Sequence, residues 1–295
     1  MTKHGHNRNL MDIFTWLCAE LSRNLIAWQG VSERTTDGTI YSEWRSKSLS
    51  ETLQLFSDTH LENKDVLDFG CGDGQLAAHI ASCKHAKSVT GVDISQEAID
   101  RCRSIHPPEI CFVKGNVNHL PFVDNQFDTI LAFDCMEHVM EPVAIVKEWY
   151  RVLRTGGHCL IEWFPYKGPW GPHMESLIPI PWAHVIFGEQ KMFRAAEKIY
   201  DLAEFYPRIW DLDSNGRKKP NKWRNWSSFK EQGYINQLTL GRFKEIAQST
   251  GFRFERSCCH SFNGSAIRRH LGAALMQLPM IGEYFTSYVH IEITK

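Results

Sequence analysis

The amino-acid sequence predicts an α/β fold built on a mostly parallel sheet, and three observations carry that expectation. Strand-like and helix-like segments alternate through residues 65–164, which is how a parallel sheet with crossover helices reads along a chain. The apolar run Val66-Leu67-Asp68-Phe69 ends on an acid and breaks into three alternate glycines, Gly70, Gly72 and Gly74. After a long interruption the alternation resumes near residue 239 and supplies two more strand candidates.

Composition bounds the reading. At 295 residues with 43% apolar content, the chain can form one large domain or a domain with an elaborated cap. Its 33 basic and 34 acidic residues nearly cancel, which argues against a surface built for nucleic acid, so nucleic acid is not an expected partner. Nine cysteines stand without a C-x-x-C pair, only Cys258 and Cys259 being adjacent, so neither a zinc ribbon nor a disulfide framework is suggested. No window approaches eighteen apolar residues and no apolar leader follows the first charges, so the expectation is a cytoplasmic protein without a membrane span.

Residues 1–60 read as a helical segment. Leu10, Ile13, Phe14, Leu17, Leu21, Leu25 and Trp28 share roughly one face of a helix over 10–28. A polar turn at Asp37-Gly38 follows, and then a second helix from Ser48 to Asp58. The core occupies 61–165. Its first strand, at Val66–Phe69, runs into the glycine turn, where a Cβ would block both the tight bend and the approach of a ligand to bare N–H groups. Gln75–Ala81 has helical spacing, so the turn opens a helix N-terminus. Ser88–Asp93 is a second strand ending on an acid, and Ile110–Val113 a third, leading to Gly115-Asn116-Val117 and Leu120-Pro121-Phe122. Phe127–Phe133 is the fourth. A helix ends at Val152–Gly157, before a fifth strand from His158 to Phe164.

Residues 166–238 are more than a core of this kind needs, and too many for a plain loop. They are dense in aromatics, including Trp170, Trp182, Phe187, Phe193, Tyr200, Phe205, Tyr206, Trp210, Trp223 and Trp226. The segment emerges at the carboxyl ends of the strands, where open α/β sheets bind ligands, which suggests a cap over an apolar or planar substrate. The other reading is that these rings form the insertion's own core or a homodimer contact. Residues 239–295 complete the sheet. They hold a helix over 239–248 ended by Gly251, strands at Arg253–Cys258 and Tyr288–Thr294, and an apolar helix over 266–281 between them.

The glycine spacing separates two nucleotide-binding patterns. A dinucleotide fingerprint would put its third glycine at position 75, where Gln75 stands, and no G-x-x-x-x-G-K-[ST] is present. The observed D-x-G-x-G-x-G resembles motif I of the class I S-adenosylmethionine-dependent methyltransferases. That resemblance implies a Rossmann-like, seven-stranded sheet with a reversed last strand, N-terminal helices over the cofactor or substrate entrance, and S-adenosyl-L-methionine as cofactor. It assigns cofactor contacts to Asp68, Gly70, Cys71, Gly72, Gly74, Asp93, Ile94, Asn116, Val117 and Phe133. Asp93 can accept from both ribose hydroxyls, and Asn116 stands where Asp is usual, its carbonyl still able to accept from the adenine amino group.

At the end of the fourth strand the chain reads Phe133-Asp134-Cys135-Met136-Glu137-His138. The [DNS]-P-P-[FYW] of amino-directed nucleic-acid methyltransferases is absent, which weighs against adenine or glutamine N-methylation. Glu137-His138 resembles the acid-His pair of small-molecule members, and Asp134-x-x-Glu137-His138 resembles the E-x-x-E-H metal motif of quinone-biosynthetic O-methyltransferases and small-RNA end methyltransferases. A divalent metal would then sit on Asp134, Glu137, His138 and either His173 or His184. Because Asp is shorter than Glu and no fourth ligand stands at a recognisable spacing, the metal-free reading is favoured, with His173, His184, His138 and Glu137 as catalytic candidates. Ser214–Arg224 is a basic run whose Gly and Pro make it a loop, either solvated or holding an anionic part of a substrate. The leading expectation is methyl transfer to O, C or N of a small, apolar or aromatic metabolite. An RNA-modifying methyltransferase is the alternative, and a binding subunit that has lost catalysis comes third.

Overall fold

The computed structural model describes residues 12–262 and 266–295; Leu10 of the expected first helix therefore lies outside the described residues. In chain order the regular elements are α1 (Ile13–Gln29), α2 (Glu33–Thr36), α3 (Gly38–Leu53), β1 (Asp65–Phe69), α4 (Gln75–Cys83), β2 (Ser88–Asp93), α5 (Gln96–Ile105), β3 (Cys111–Lys114), β4 (Phe127–Phe133), α6 (Pro142–Val152), β5 (Leu153–Trp163), α7 (Ala183–Ile186), α8 (Glu189–Tyr200), α9 (Phe229–Gln232), α10 (Leu240–Thr250), β6 (Arg253–His260), α11 (Ala266–Met276) and β7 (Tyr288–Thr294). Short 3-10 turns at Asp58–His60 and Met136–His138 recur below.

The seven strands form one sheet in the order β3-β2-β1-β4-β5-β7-β6, and β7 alone runs against its neighbours. This is the Rossmann-like arrangement with a reversed last strand. Strand alternation divides the apolar residues between two faces. Val66, Leu131, Phe133 and Leu160 pack against Leu49 and Leu53 of α3, Leu76 and Ile80 of α4 and Ile99 of α5. Leu67, Ile130, Ala132, Ile161 and Ile291 meet Trp149 of α6 and Phe243 of α10 on the other face. Order reverses beside β1, between β2 and β4, so the carboxyl ends of β1, β2 and β4 open a crevice at a topological switch point.

The structure corrects two boundaries. The second helix starts at Gly38, not Ser48, because Asp37 caps it: one carboxylate oxygen accepts from Thr39 N at 2.8 Å and Ile40 N at 3.0 Å. It ends at Leu53, and Asp58 belongs to a 3-10 turn. The fifth strand begins at Leu153, opposite Phe127; residues 154–157 then bulge out before Thr129 pairs with His158, where the expected strand starts.

The long segment after β5 builds a hydrophobic cluster of its own. Phe187, Phe193, Tyr200, Phe205 and Phe229 are buried there with Met174, Leu177 and Ile178, and Trp223 and Trp226 pack against them. Cys18 of α1 is buried in the same cluster. Most rings expected at a substrate pocket are therefore the insertion's own core. No helix among the described residues is long and apolar enough to cross a membrane.

Candidate active site

The glycine turn is pinned to β2 by Gly70 N and Cys71 N, which both donate to Val92 O, at 2.8 and 3.1 Å. Gly70 (φ +74°) has no room for a side chain, since a Cβ would stand 2.7 Å from Cys135 Cβ. Gly74, also at φ +74°, closes on Phe112 and His106 in the same way and starts α4. Gly72 differs: its φ is +52°, and no atom lies within 4 Å of where its Cβ would be. The turn is thus packed at both ends and open in its middle.

Two carboxylates flank that opening. Asp93 accepts from Gly72 N at 3.0 Å with one oxygen and from Ser95 N at 2.8 Å with the other, which leaves lone pairs on both for a ligand. Asp68 is buried and accepts from Ala77 N at 3.1 Å; burial pushes its carboxyl up to about 7 against the pull of that bond and of Arg45. Beyond the ends of the adjacent strands β2 and β3, Ile94 and Val117 are 61% and 54% exposed, and Asn116 beside them is also exposed. Cys71 and Phe133 are buried instead, the Phe133 ring stacked on Phe56 at 5.8 Å.

At the end of β4 the backbone turns sharply. Asp134 takes a left-handed conformation (φ +49°), its N–H donates to Glu162 O at 3.0 Å, and its carboxylate forms an ion pair with Arg45 of α3. Glu137, in the following 3-10 turn, is 1% exposed, and neither of its carboxylate oxygens has a hydrogen-bond partner among the described residues. Burial first, then the charge on Asp134, drives its pKa well above the carboxylate range. Asn236 clamps the turn: its side-chain amide donates to Met136 O and Val139 O, each at 2.7 Å, and its N–H to Glu137 O at 2.8 Å.

His138 and His173 face this carboxyl. His138 Nδ1 lies 2.9 Å from Tyr234 O, and since a carbonyl can only accept, Nδ1 carries the proton and Nε2 keeps its lone pair. Tyr234 also stacks on the ring, with centroids 4.2 Å apart. His173 Nε2 stands 3.5 Å from Glu137 Oε1, too far for a strong hydrogen bond, and burial lowers its pKa to about 4. Phe164 closes on the His173 ring at 4.5 Å.

The ligating atoms of Glu137, His138 and His173 lie within 4.8 Å of one another, whereas two other expected members of this group are elsewhere. Asp134 has turned to Arg45, which also supplies the positive charge that a cation would bring. His184 is buried in the cap against Tyr166, with centroids 4.9 Å apart and its pKa lowered by burial to about 4; it sits in that core because α7 is held by its packing on α8. The basic run is largely spent inside the cap. Lys218 donates to Tyr200 O and lies over that ring at 4.5 Å, Lys219 reaches Trp210 O at 3.1 Å, and Arg224 pairs with Asp201 at 3.0 Å.

Four residues of this site were not foreseen. Arg45 and Tyr41 come from α3, and Tyr234 and Asn236 from the end of the cap; Tyr41 meets Trp210 edge-on at 6.3 Å. Ser42, on the same helix, accepts from Gln75 Nε2 at 2.6 Å, so α3 lies across the start of α4 and the glycine turn.

Comparison with known proteins adds to this geometry. Residues 67–161 match the family model described as "Methyltransferase domain". A phthiotriol/phenolphthiotriol dimycocerosates methyltransferase of Mycobacterium tuberculosis is 38% identical over 110 residues, which cover 36% of this chain and 38% of that protein. A tRNA U34 carboxymethyltransferase of Nautilia profundicola is 28% identical over 152 residues, half of each chain. The matched stretches thus span only about a third to a half of these relatives. Among solved structures, an S-adenosylmethionine-dependent methyltransferase from Mesorhizobium loti superposes with a TM-score of 0.51 at 16% identity, over 86% of this chain and 98% of that one, a likeness of fold.

Proposed function

From the premise that residues 67–161 form a class I methyltransferase domain, we propose that the chain transfers the methyl group of S-adenosyl-L-methionine to a small metabolite. The observation that carries this reading is the glycine turn, closed at Gly70 and Gly74 and open at Gly72, with Asp93 presenting unused lone pairs beside it. A turn with open space where a Gly72 side chain would stand, next to a hydroxyl-accepting carboxylate, suits a ribose, and the exposed Ile94 and Val117 suit the faces of a planar base, with Asn116 at its edge. When bound, the cofactor supplies a carbon already activated for displacement by its sulfonium. The surrounding carboxylates Asp93, Asp134 and Glu162 outnumber the guanidinium of Arg45, which favours a cationic guest.

The chain's own part is to align a nucleophile and exclude water. His173, held neutral, is the proposed base for an acceptor hydroxyl or amine, and His138 offers a second lone pair at Nε2. Glu137 stays protonated and keeps the pocket from gathering further negative charge. Tyr41, Phe164, Trp210 and Tyr234 give the mouth an aromatic lining, which supports an apolar or planar acceptor.

The test is calorimetry with S-adenosylhomocysteine. Asp93→Ala should weaken binding by about 2–3 kcal/mol, the size of charge-assisted hydrogen bonds, with the fold retained. Unchanged affinity would overturn the assignment. Incubation with labelled S-adenosylmethionine and a metabolite pool would then identify the acceptor, and transfer to RNA with a steep salt dependence would select the RNA-modifying alternative.

A further inference from the structure

We propose that His60, His158 and Glu292 bind one first-row transition metal ion, zinc above all, at the end of the sheet opposite the glycine turn. Topology brings the three together. His158 opens the regular part of β5 directly opposite Thr294 of β7, and Glu292, two residues earlier on β7, projects from the same face. His60 ends the 3-10 turn before β1 and is drawn over that face by a bond from the Thr129 hydroxyl of β4 to its carbonyl. Glu292 Oε1 lies 3.2 Å from His60 Nε2 and 3.0 Å from His158 Nδ1, and the two imidazole rings are 4.1 Å apart.

These spacings also suit an ion. Ligands held about 2.0–2.1 Å from a tetrahedral zinc stand about 3.3 Å from one another, so Glu292 Oε1 needs to part from each imidazole nitrogen by only a few tenths of an ångström. Two imidazoles and one carboxylate are a donor set that suits zinc and its neighbours, while magnesium and calcium prefer oxygen alone. The site also has what a three-ligand centre requires, an open fourth position: His60 and His158 line a cavity of about 280 Å³ with Lys64, Thr129 and Gly156. The Glu137, His138 and His173 group lacks the further carboxylate expected there, since Asp134 is paired with Arg45 instead.

The probe is cobalt(II), which reports tetrahedral nitrogen and oxygen ligation by strong visible absorption. Titrating the chelator-treated full chain should give one equivalent of bound cobalt, displaced by zinc. His158→Ala and the near-isosteric Glu292→Gln should each weaken binding by roughly tenfold or more, and Glu137→Gln should leave it unchanged. Circular dichroism melts show whether His158→Ala is folded; if it is not, Glu292→Gln decides alone. The proposal is overturned if wild type gives no cobalt absorption at stoichiometric metal, if Glu292→Gln keeps the wild-type affinity, or if only Glu137→Gln loses it.

Discussion

His173, the base proposed for this site, is neutral from mildly acidic pH upward. An exposed imidazole would switch on near its ordinary value of 6.5. Burial moves the His173 switch to about 4, so turnover that depends on neutral His173 should be flat from about pH 5 upward and fall only toward pH 4. A pH–rate profile checks this, and a limb centred near 6.5 would exclude His173 as the base. His173→Ala should lower kcat by about 10²–10⁴-fold while leaving S-adenosylhomocysteine affinity nearly unchanged. Asp68, the three glycines and Asp93 could be placed from the sequence because each is fixed by its neighbours in the chain. Arg45 could not: it meets Asp134 across 89 residues, and Asn236 meets Met136 across 100, so nothing local marks either one.

Within the glycine turn the three positions are not equivalent, and substitutions should separate folding from binding. Gly70→Ala puts a Cβ 2.7 Å from that of Cys135 in a left-handed backbone, so a loss of stability of about 2–4 kcal/mol is expected. Gly72→Ala meets no atom, so only the backbone cost of about 1–2 kcal/mol applies, while its methyl group occupies the cradle. Urea denaturation should therefore rank Gly70→Ala as the less stable variant. Calorimetry should find Gly72→Ala folded but poor at binding S-adenosylhomocysteine. Strands with alternating apolar residues were readable at their true limits, as in β2, β4 and β7. The first ten residues of α3 were not, because they carry no apolar stripe; the Asp37 cap and the bonds of Ser42 and Arg45 to other elements hold them. Asp37→Ala should accordingly cost about 1 kcal/mol in the same denaturation experiment.

At the scale of the molecule, acid should unfold the cap core. His184 is buried with its pKa lowered from 6.5 to about 4, so the unfolded chain binds more protons than the folded one between those values. Its contribution is complete above about pH 6.5 and is lost as pH falls toward 4, by about 2–3 kcal/mol. Melting temperatures measured across that window should fall less steeply in His184→Leu than in wild type. An equal slope would mean that other groups govern acid unfolding. The cap cluster, against which His184's neighbour Tyr166 packs, also holds Cys18 of α1, although its other buried members begin only at Met174. During synthesis α1 leaves the ribosome about 150 residues before its partners, a wait on the order of 10–30 s. Through that interval Cys18, Ala19 and Ile26, the α1 residues that the cap covers, have nothing native to rest on, so the early chain is a client for chaperones, and a stop placed before the cap would leave that face of α1 bare.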